Sequence, residues 1–332
     1  MCIRDRDYTA PQEEENVKTV LDGIRAKLSS SQVEYVKGCS IRDTVTSDIE
    51  QAVAAAQRSE VVIAVVGGSS ARDFKTSYKE TGAAIADEKT ISDMECGEGF
   101  DRATLSLLGK QQELLKALKA TGKPLIVVYI EGRPLDKNWA SENADVLLTA
   151  YYPGQEGGNA IADVLFGEFN PAGRLPFSVP RSVGQVPVYY NKKAPQSHDY
   201  VEMSASPLYP FGYGLSYTSF DYSDLHLSAL MPRSFEISFK VRNTGKYDGE
   251  EVAQLYLRDE YASVVQPLKQ LKHFARFYLK RGEEREVKFI LSEEDFSLVD
   301  RNLKKIVEPG TFQIMIGAAS NDIRLQTKVE IK

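Results

Sequence analysis

The sequence predicts an α/β domain followed by an all-β domain: a three-layer α/β sandwich on a mostly parallel sheet, then an antiparallel β-sandwich. Three observations carry this. The chain has 332 residues, too many for one ordinary domain. Up to about residue 180, unbroken apolar runs alternate with helical spacing, the order expected when crossover helices join parallel strands. Beyond about residue 218 the apolar residues fall on every second position, the period of half-buried strands.

Residues 12–28 carry acids early and bases late, matching a helix dipole. Val33–Val36 reads as a strand. Ser47-Asp48-Ile49-Glu50 has the spacing of a capping box, and Ala52, Val53 and Ala56 continue it as a helix. Val61 to Val66 is apolar at every position and stops at Gly67-Gly68, so both strand faces must be covered. Leu107, Leu108, Leu114, Leu115 and Leu118 mark a helix, Leu125 to Ile130 a second covered strand, and Val146-Leu147-Leu148 a third. A helix through Ala160, Ile161, Val164 and Leu165 completes the unit, giving an expected α/β domain over 7–180.

Residues 181–217 are rich in Pro, Tyr and Gly without periodicity, and read as a packed linker. In 218–332, Phe235, Ile237, Phe239 and Val241 alternate with Glu236, Ser238, Lys240 and Arg242. Val287, Phe289 and Leu291 repeat the pattern, as do Phe312, Ile314 and Ile316. Asn243-Thr244-Gly245, Arg281-Gly282 and Pro309-Gly310 supply turns. Short strands at this spacing indicate a sandwich of immunoglobulin or fibronectin type.

Forty-one Lys and Arg against forty-seven Asp and Glu leave a charge of -6, which argues against nucleic acid or an anionic membrane as the main partner. With 42% hydrophobic and 27% charged residues, disorder, collagen and coiled coil are excluded as the main architecture. No apolar run reaches the roughly 20 residues of a membrane span. Cys2, Cys39 and Cys96 lack Cys-x-x-Cys spacing, and His198, His226 and His273 lie far apart, so neither a disulfide framework nor a local metal cluster is expected. The charged start, Met1 to Arg6, lacks the apolar core of a signal peptide and reads more as a scar than a designed beginning.

Ligands of open parallel sheets gather beyond the carboxyl ends of the strands. Three segments leave such ends: Gly67 to Asp73, Glu131-Gly132-Arg133-Pro134, and Tyr152 to Gly158. The stretch from Gly68 to the helix near Leu107 is long for a connection of this kind, and holds Met94-Glu95-Cys96-Gly97-Glu98-Gly99-Phe100-Asp101-Arg102. Glu98, between two glycines, suits a carboxyl presented at a loop tip, able to donate a proton if its pKa is raised. On residue type alone a solvated loop glutamate is the plainer reading. Glu95 lacks the flanking glycines, and Asp101-Arg102 reads as a loop anchor through an ion pair. Gly67-Gly68-Ser69-Ser70 lacks both nucleotide-binding patterns. Glu156 reads as a helix N-terminal charge, with Gly157 and Gly158 allowing close helix–sheet packing. Arg133 is either a ligand contact or an internal ion pair, and Trp139 either an aromatic platform or, more simply, a core residue.

Together the segments resemble the C-terminal part of glycoside hydrolase family 3, the β-glucosidase and β-xylosidase family. The matching pieces include Gly97 to Arg102, Gly132-Arg133-Pro134, Tyr151 to Ala160, Asn170 to Pro176 and Pro207 to Tyr217. The second half adds Val252 to Asp259, Leu271-Lys272 and Val307-Glu308-Pro309-Gly310. Their order covers nearly the whole chain.

The resemblance implies a fibronectin type III-like second domain and retaining exo-β-glycosidase chemistry with two carboxyl groups. Glu98 matches the acid/base position; the nucleophilic aspartate belongs to an N-terminal barrel expected to precede residue 7 and absent here. The chain is therefore expected to be a fragment, inactive alone, whose partners are that barrel and a β-linked glucoside, xyloside or oligosaccharide. No metal or organic cofactor is implied, and a periplasmic or extracellular location is. Ser69, Ser70, Arg72 and Asp73 are expected to shape the aglycone side, and His198 either to reach toward the site or, more simply, to be a packed linker residue. Transfer or phosphorolysis would use the same retaining chemistry. The rival expectation from another class is a carbohydrate-binding or scaffolding module without catalysis.

Overall fold

A computed structural model describes residues 16–28, 32–45, 47–70, 77–78, 84–85, 93–97, 100–193 and 198–332. The chain divides into two compact units. One comprises Met1–Phe169 with Arg181–Gly184, the other Asn170–Pro180 with Gln185–Lys332. Residues 170–180, assigned to the α/β domain on the sequence, thus group with the β unit, as does 185–217.

The α/β unit is built on β1 (Val62–Gly67), β4 (Leu125–Ile130) and β5 (Val146–Thr149), with the short pair β2 (Ser77–Tyr78) and β3 (Ala84–Ile85) elsewhere in the chain. The sheet order is β1-β4-β5, all parallel, with Gly67 opposite Ile130 and Tyr129 opposite Thr149. Leu125, Val127 and Val128 in the central strand are completely buried, as an unbroken apolar run requires. One face packs on α2 (Ile49–Arg58), α3 (Gln111–Lys119) and α4 (Asn138–Asn143) through Ala52, Ala56, Leu114, Leu115, Leu118 and Ala140. The other packs on α1 (Val20–Lys27) and α5 (Gly157–Leu165) through Val20, Ile24 and Ile161. Half-buried Trp139 lies against the first of these clusters, in its expected core role.

Several local expectations change. The first helix starts only at Val20, where Thr19 and Asp22 form a capping box; residues 12–15 lie outside the described set. No strand forms at 33–36: among the described residues these four have no neighbouring strand to pair with. Ser47 does not cap α2, whose cap position is Asp48; its hydroxyl meets Lys110 Nζ at 3.4 Å instead. Gly158, in the first turn of α5, serves helix–helix contact rather than helix–sheet packing. A Cβ on Gly158 would lie 2.0 Å from the Thr19 carbonyl oxygen, and one on Gly23 would lie 2.1 Å from the Gly158 carbonyl oxygen.

The β unit is a two-sheet sandwich. One sheet has the order β10-β7-β6, from β6 (Phe220–Met231), β7 (Ser234–Asn243) and β10 (Glu284–Leu291). The other has the order β14-β13-β8-β9, from β8 (Gly249–Asp259), β9 (Gln270–Leu279), β13 (Gly310–Ala319) and β14 (Asp322–Ile331). The small pair β11 (Leu298–Val299) and β12 (Lys305–Ile306) lies between β10 and β13 in sequence. The alternating residues meet in one core that includes Ile237, Phe239, Val241, Leu255, Val287, Phe289, Ile314 and Ile316. Asn243, read as a turn residue, is completely buried. It donates to the Tyr247 and Leu279 carbonyls and accepts from the Thr218 hydroxyl and the Gly245 N–H.

The 185–217 segment packs on this sandwich. Tyr190 stacks on Phe211 at 4.2 Å and meets the buried Tyr256 edge-on, while its hydroxyl accepts the Leu271 N–H. Val179 bridges Tyr209, and Arg174 pairs with the buried Glu251 at 3.0 Å. His198 is exposed rather than packed.

Candidate active site

The parallel register brings the carboxyl ends of β1, β4 and β5 to one edge. Gly67 and Gly68 finish β1 against β4. The Gly68 N–H donates to the Ile130 carbonyl, and a Cβ on Gly67 (φ 138°) would collide with that same oxygen at 1.9 Å. Buried Gln111, from α3, accepts the Gly67 N–H at 2.7 Å and donates to the Gly67 carbonyl at 2.9 Å. Such a latch satisfies both polar groups of a strand end that water cannot reach. Gln111's part carries no local sequence signal, because it occupies an ordinary position in an amphipathic helix.

Residues 93–97 lie along this edge. The Glu95 and Cys96 N–H groups both point to the Ser69 carbonyl, at 2.8 and 3.4 Å. The Asp93 carboxylate accepts the Ile41 and Arg42 N–H groups, and Arg42 Nη1 donates to the Met94 carbonyl. Glu95 is bound by Arg102 at 2.6 Å, with both side chains almost wholly buried, 1% and 6% exposed. Arg102 also donates to the Ser106 carbonyl. Arg102 is thus the loop anchor expected from the sequence, with Glu95 as its partner. The Phe100 N–H donates to the Gly97 carbonyl at 3.1 Å, and Gly97 sits at φ 121°.

Tyr152, after β5, reaches the same place. Its hydroxyl lies 2.9 Å from Cys96 Sγ, and its ring fills the space that a side chain at position 132 would need, 2.6 Å from the would-be Cβ of Gly132. Burial, followed by the Cys96 contact, raises the Tyr152 phenol far above its ordinary range. Burial also raises the Cys96 thiol, so it stands here as a neutral packing group. Tyr151 adopts φ 50°; burial and the nearby Glu131 charge push its phenol up to about 12.

Glu131 and Lys137 form a second buried pair at the end of β4. Lys137 Nζ contacts both carboxylate oxygens, at 2.6 and 2.7 Å, and also the Leu135 carbonyl; Glu131 accepts the Leu135 N–H. Burial drives the Glu131 carboxyl up and the Lys137 ammonium down, while their mutual attraction opposes both shifts. The pair fixes the turn that carries half-buried Arg133. Glu156 is exposed at the cap position of α5 and accepts from Asn159, in keeping with a helix N-terminal charge.

Among the expected site residues, Ser69 and Ser70 lie at this edge and are buried, 5% and 7% exposed. Glu98, Arg72 and Asp73 fall outside the described residues. Glu95, Cys96, Arg102 and Tyr152 are brought together here, a grouping that the sequence offered only in part.

Residues 5–217 match the model of the glycosyl hydrolase family 3 C-terminal domain, and 251–320 that of a fibronectin type III-like domain. A β-xylosidase of Formosa agariphila is 42% identical over 317 residues, covering 93% of this chain and 41% of that protein. A periplasmic β-glucosidase of Salmonella typhimurium is 41% identical, covering 92% of this chain and 42% of that protein. A mutant β-glucosidase of Listeria innocua, solved in complex with laminaribiose, superposes with a TM-score of 0.83 at 32% identity, over 96% of this chain and 42% of that one. The chain therefore spans less than half the length of these relatives, and it belongs to glycosyl hydrolase family 3, as its C-terminal α/β domain and fibronectin type III-like domain.

Proposed function

We propose that this chain supplies the acid/base half of a retaining exo-β-glycosidase site, with Glu98 as the acid/base residue. The observation that carries the reading is the family match over 5–217, together with the anchoring of residues 93–97 and 100–102 at the carboxyl edge of the parallel sheet. In the first step an aspartate of the family's N-terminal barrel attacks the anomeric carbon. Glu98 gives its proton to the glycosidic oxygen, and the aglycone leaves as an alcohol. In the second, the Glu98 carboxylate takes a proton from water as that water opens the glycosyl ester, releasing the sugar with its configuration retained. Such a pair needs its carboxyl groups about 5–5.5 Å apart, so the barrel must close over this edge.

The substrates proposed are β-linked glucosides, xylosides or short oligosaccharides, by likeness to the relatives' names and to the laminaribiose and glucose complexes. Arg72 and Asp73 are proposed to shape the aglycone side, and Ser69 and Ser70 to act from beneath it through the backbone they carry. The periplasmic relative supports a periplasmic or extracellular location. Among the described residues no helix is long and apolar enough to cross a membrane.

The test is hydrolysis of 4-nitrophenyl β-glucoside and β-xyloside. The chain alone is expected to be inert. Supplying the barrel, in trans or by extending the gene upstream, should produce activity that Glu98→Gln removes. Hydrolysis by the isolated chain above vector controls would refute this division of labour.

A further inference from the structure

We infer that Glu95 and Arg102 are positioning residues for the acid/base glutamate: their buried ion pair ties together the two stretches of chain that flank Glu98 in sequence. The inference rests on the acid/base reading above and extends it to two residues that do not touch substrate.

Three contacts frame the segment. At its base, Glu95 and Arg102 meet at 2.6 Å, out of contact with water. Nearer the tip, the Phe100 N–H closes on the Gly97 carbonyl at 3.1 Å. To one side, the Glu95 N–H is bonded to Ser69 at 2.8 Å, tying the frame to the end of β1. Glu98 lies three residues from Glu95 and four from Arg102, so the chain holds it within about 11 and 14 Å of them.

A buried ion pair is poor evidence for stability, since apolar residues of similar size often serve a fold as well. What the pair adds is direction: Arg102 donates through Nη1 to Glu95 Oε2 and through Nη2 to the Ser106 carbonyl, and the two contacts together set the plane of the guanidinium. Gly68 fits the same purpose: a Cβ there would lie 2.0 Å from Glu95 Oε1, so the backbone leaves the carboxylate its place. Placement matters here because a proton donor displaced by about 1 Å loses much of its rate advantage.

The experiment uses the chain together with its barrel and compares two glycosides. A 2,4-dinitrophenyl β-glycoside leaves without protonation, whereas a disaccharide or methyl glycoside needs a proton on its leaving oxygen. For Glu95→Gln and Arg102→Gln, kcat/KM on the disaccharide should fall by about tenfold to a hundredfold, a fraction of what general acid catalysis contributes. On the dinitrophenyl glycoside it should change less than about threefold, on the same ground. Arg102→Lys, which keeps the charge, should show a smaller version of the same split. Equal losses on both substrates, or no loss on either, would overturn the inference, and thermal melting of each variant identifies losses due to unfolding. Glu98→Gln run in parallel separates the two levels. If it shows the split and the frame variants do not, the positioning role fails alone. If Glu98→Gln shows no split, the acid/base reading fails first.

Discussion

Gly68 and Glu95 share one space: a Cβ built on Gly68 would stand 2.0 Å from Glu95 Oε1 and 2.5 Å from its carboxyl carbon. The backbone of Gly68 is not in the left-handed region, so the need for glycine comes from the neighbour and not from the turn. Gly68→Ala should therefore displace the Glu95 carboxylate from Arg102. We expect a destabilisation of about 1–3 kcal/mol, typical of overpacking, measured by urea unfolding.

The Glu131–Lys137 pair makes a prediction about pH. Lys137→Met leaves a buried carboxylate without its counter-charge, and should cost about 3–5 kcal/mol near neutral pH. Burial already raises the Glu131 carboxyl above its ordinary value, and removing Lys137 raises it further. A carboxyl whose folded pKa exceeds its unfolded one binds its proton more tightly in the folded state. Stability then declines as pH rises between the two values. The deficit of Lys137→Met relative to the unaltered chain should accordingly shrink on moving from pH 7 toward the ordinary carboxylate range, as read from urea midpoints at each pH.

Asn243 serves four partners inside the sandwich. Asn243→Ala would strand the Leu279 and Tyr247 carbonyls and the Thr218 hydroxyl, and should cost about 2–4 kcal/mol at about 1–3 kcal/mol per stranded group, with partial rescue by water. Asn243→Asp keeps the acceptor and loses the donors, so its loss should not be smaller. Denaturant unfolding followed by near-UV circular dichroism checks both.

Helix α1 depends on two glycines that let it approach α5. Gly158→Ala would press a methyl group to within 2.0 Å of the Thr19 carbonyl. The helix ends should separate, and the amides of Val20 to Lys27 should exchange with deuterium at least about tenfold faster, the equivalent of about 1.4 kcal/mol of local stability. The same change at Gly154, where a Cβ meets no atom within 4 Å but φ is 80°, should act only through local backbone strain.

What the sequence could reveal depended on whether a residue's role was periodic or local. The strands β1 and β4 were legible because their burial between two helical layers leaves no place for a polar residue along them, and β5 because its short apolar run continues the same sheet. Those of the sandwich were legible because one face is wet. Val33–Val36 has the composition of a strand, but pairing requires a neighbour that composition cannot announce. Ser47 carries the capping spacing, yet Lys110, distant in sequence, takes its hydroxyl. Asn243 looks like a turn residue because asparagine is common in turns; its burial becomes apparent only when Thr218 and Leu279 come together around it. At the candidate site, Arg102 was legible as an anchor, whereas its partner was not, since Glu95 and Asp101 are both acids within reach along the chain. Gln111 arrives from a separate element and had no local mark at all, whereas Tyr152 was marked only as part of a segment leaving a strand end, not by its contact with Cys96.

The most direct measurement is chemical rescue at position 98. With the barrel supplied, Glu98→Ala should turn over a dinitrophenyl β-glycoside slowly, because no base remains to activate water for the second step. Sodium azide, which needs no deprotonation, should accelerate turnover and yield the β-glycosyl azide, with retained configuration. A Glu98→Ala enzyme that hydrolyses a disaccharide at the unaltered rate, or that azide neither accelerates nor diverts to a glycosyl azide, would contradict the assignment of Glu98 as the acid/base.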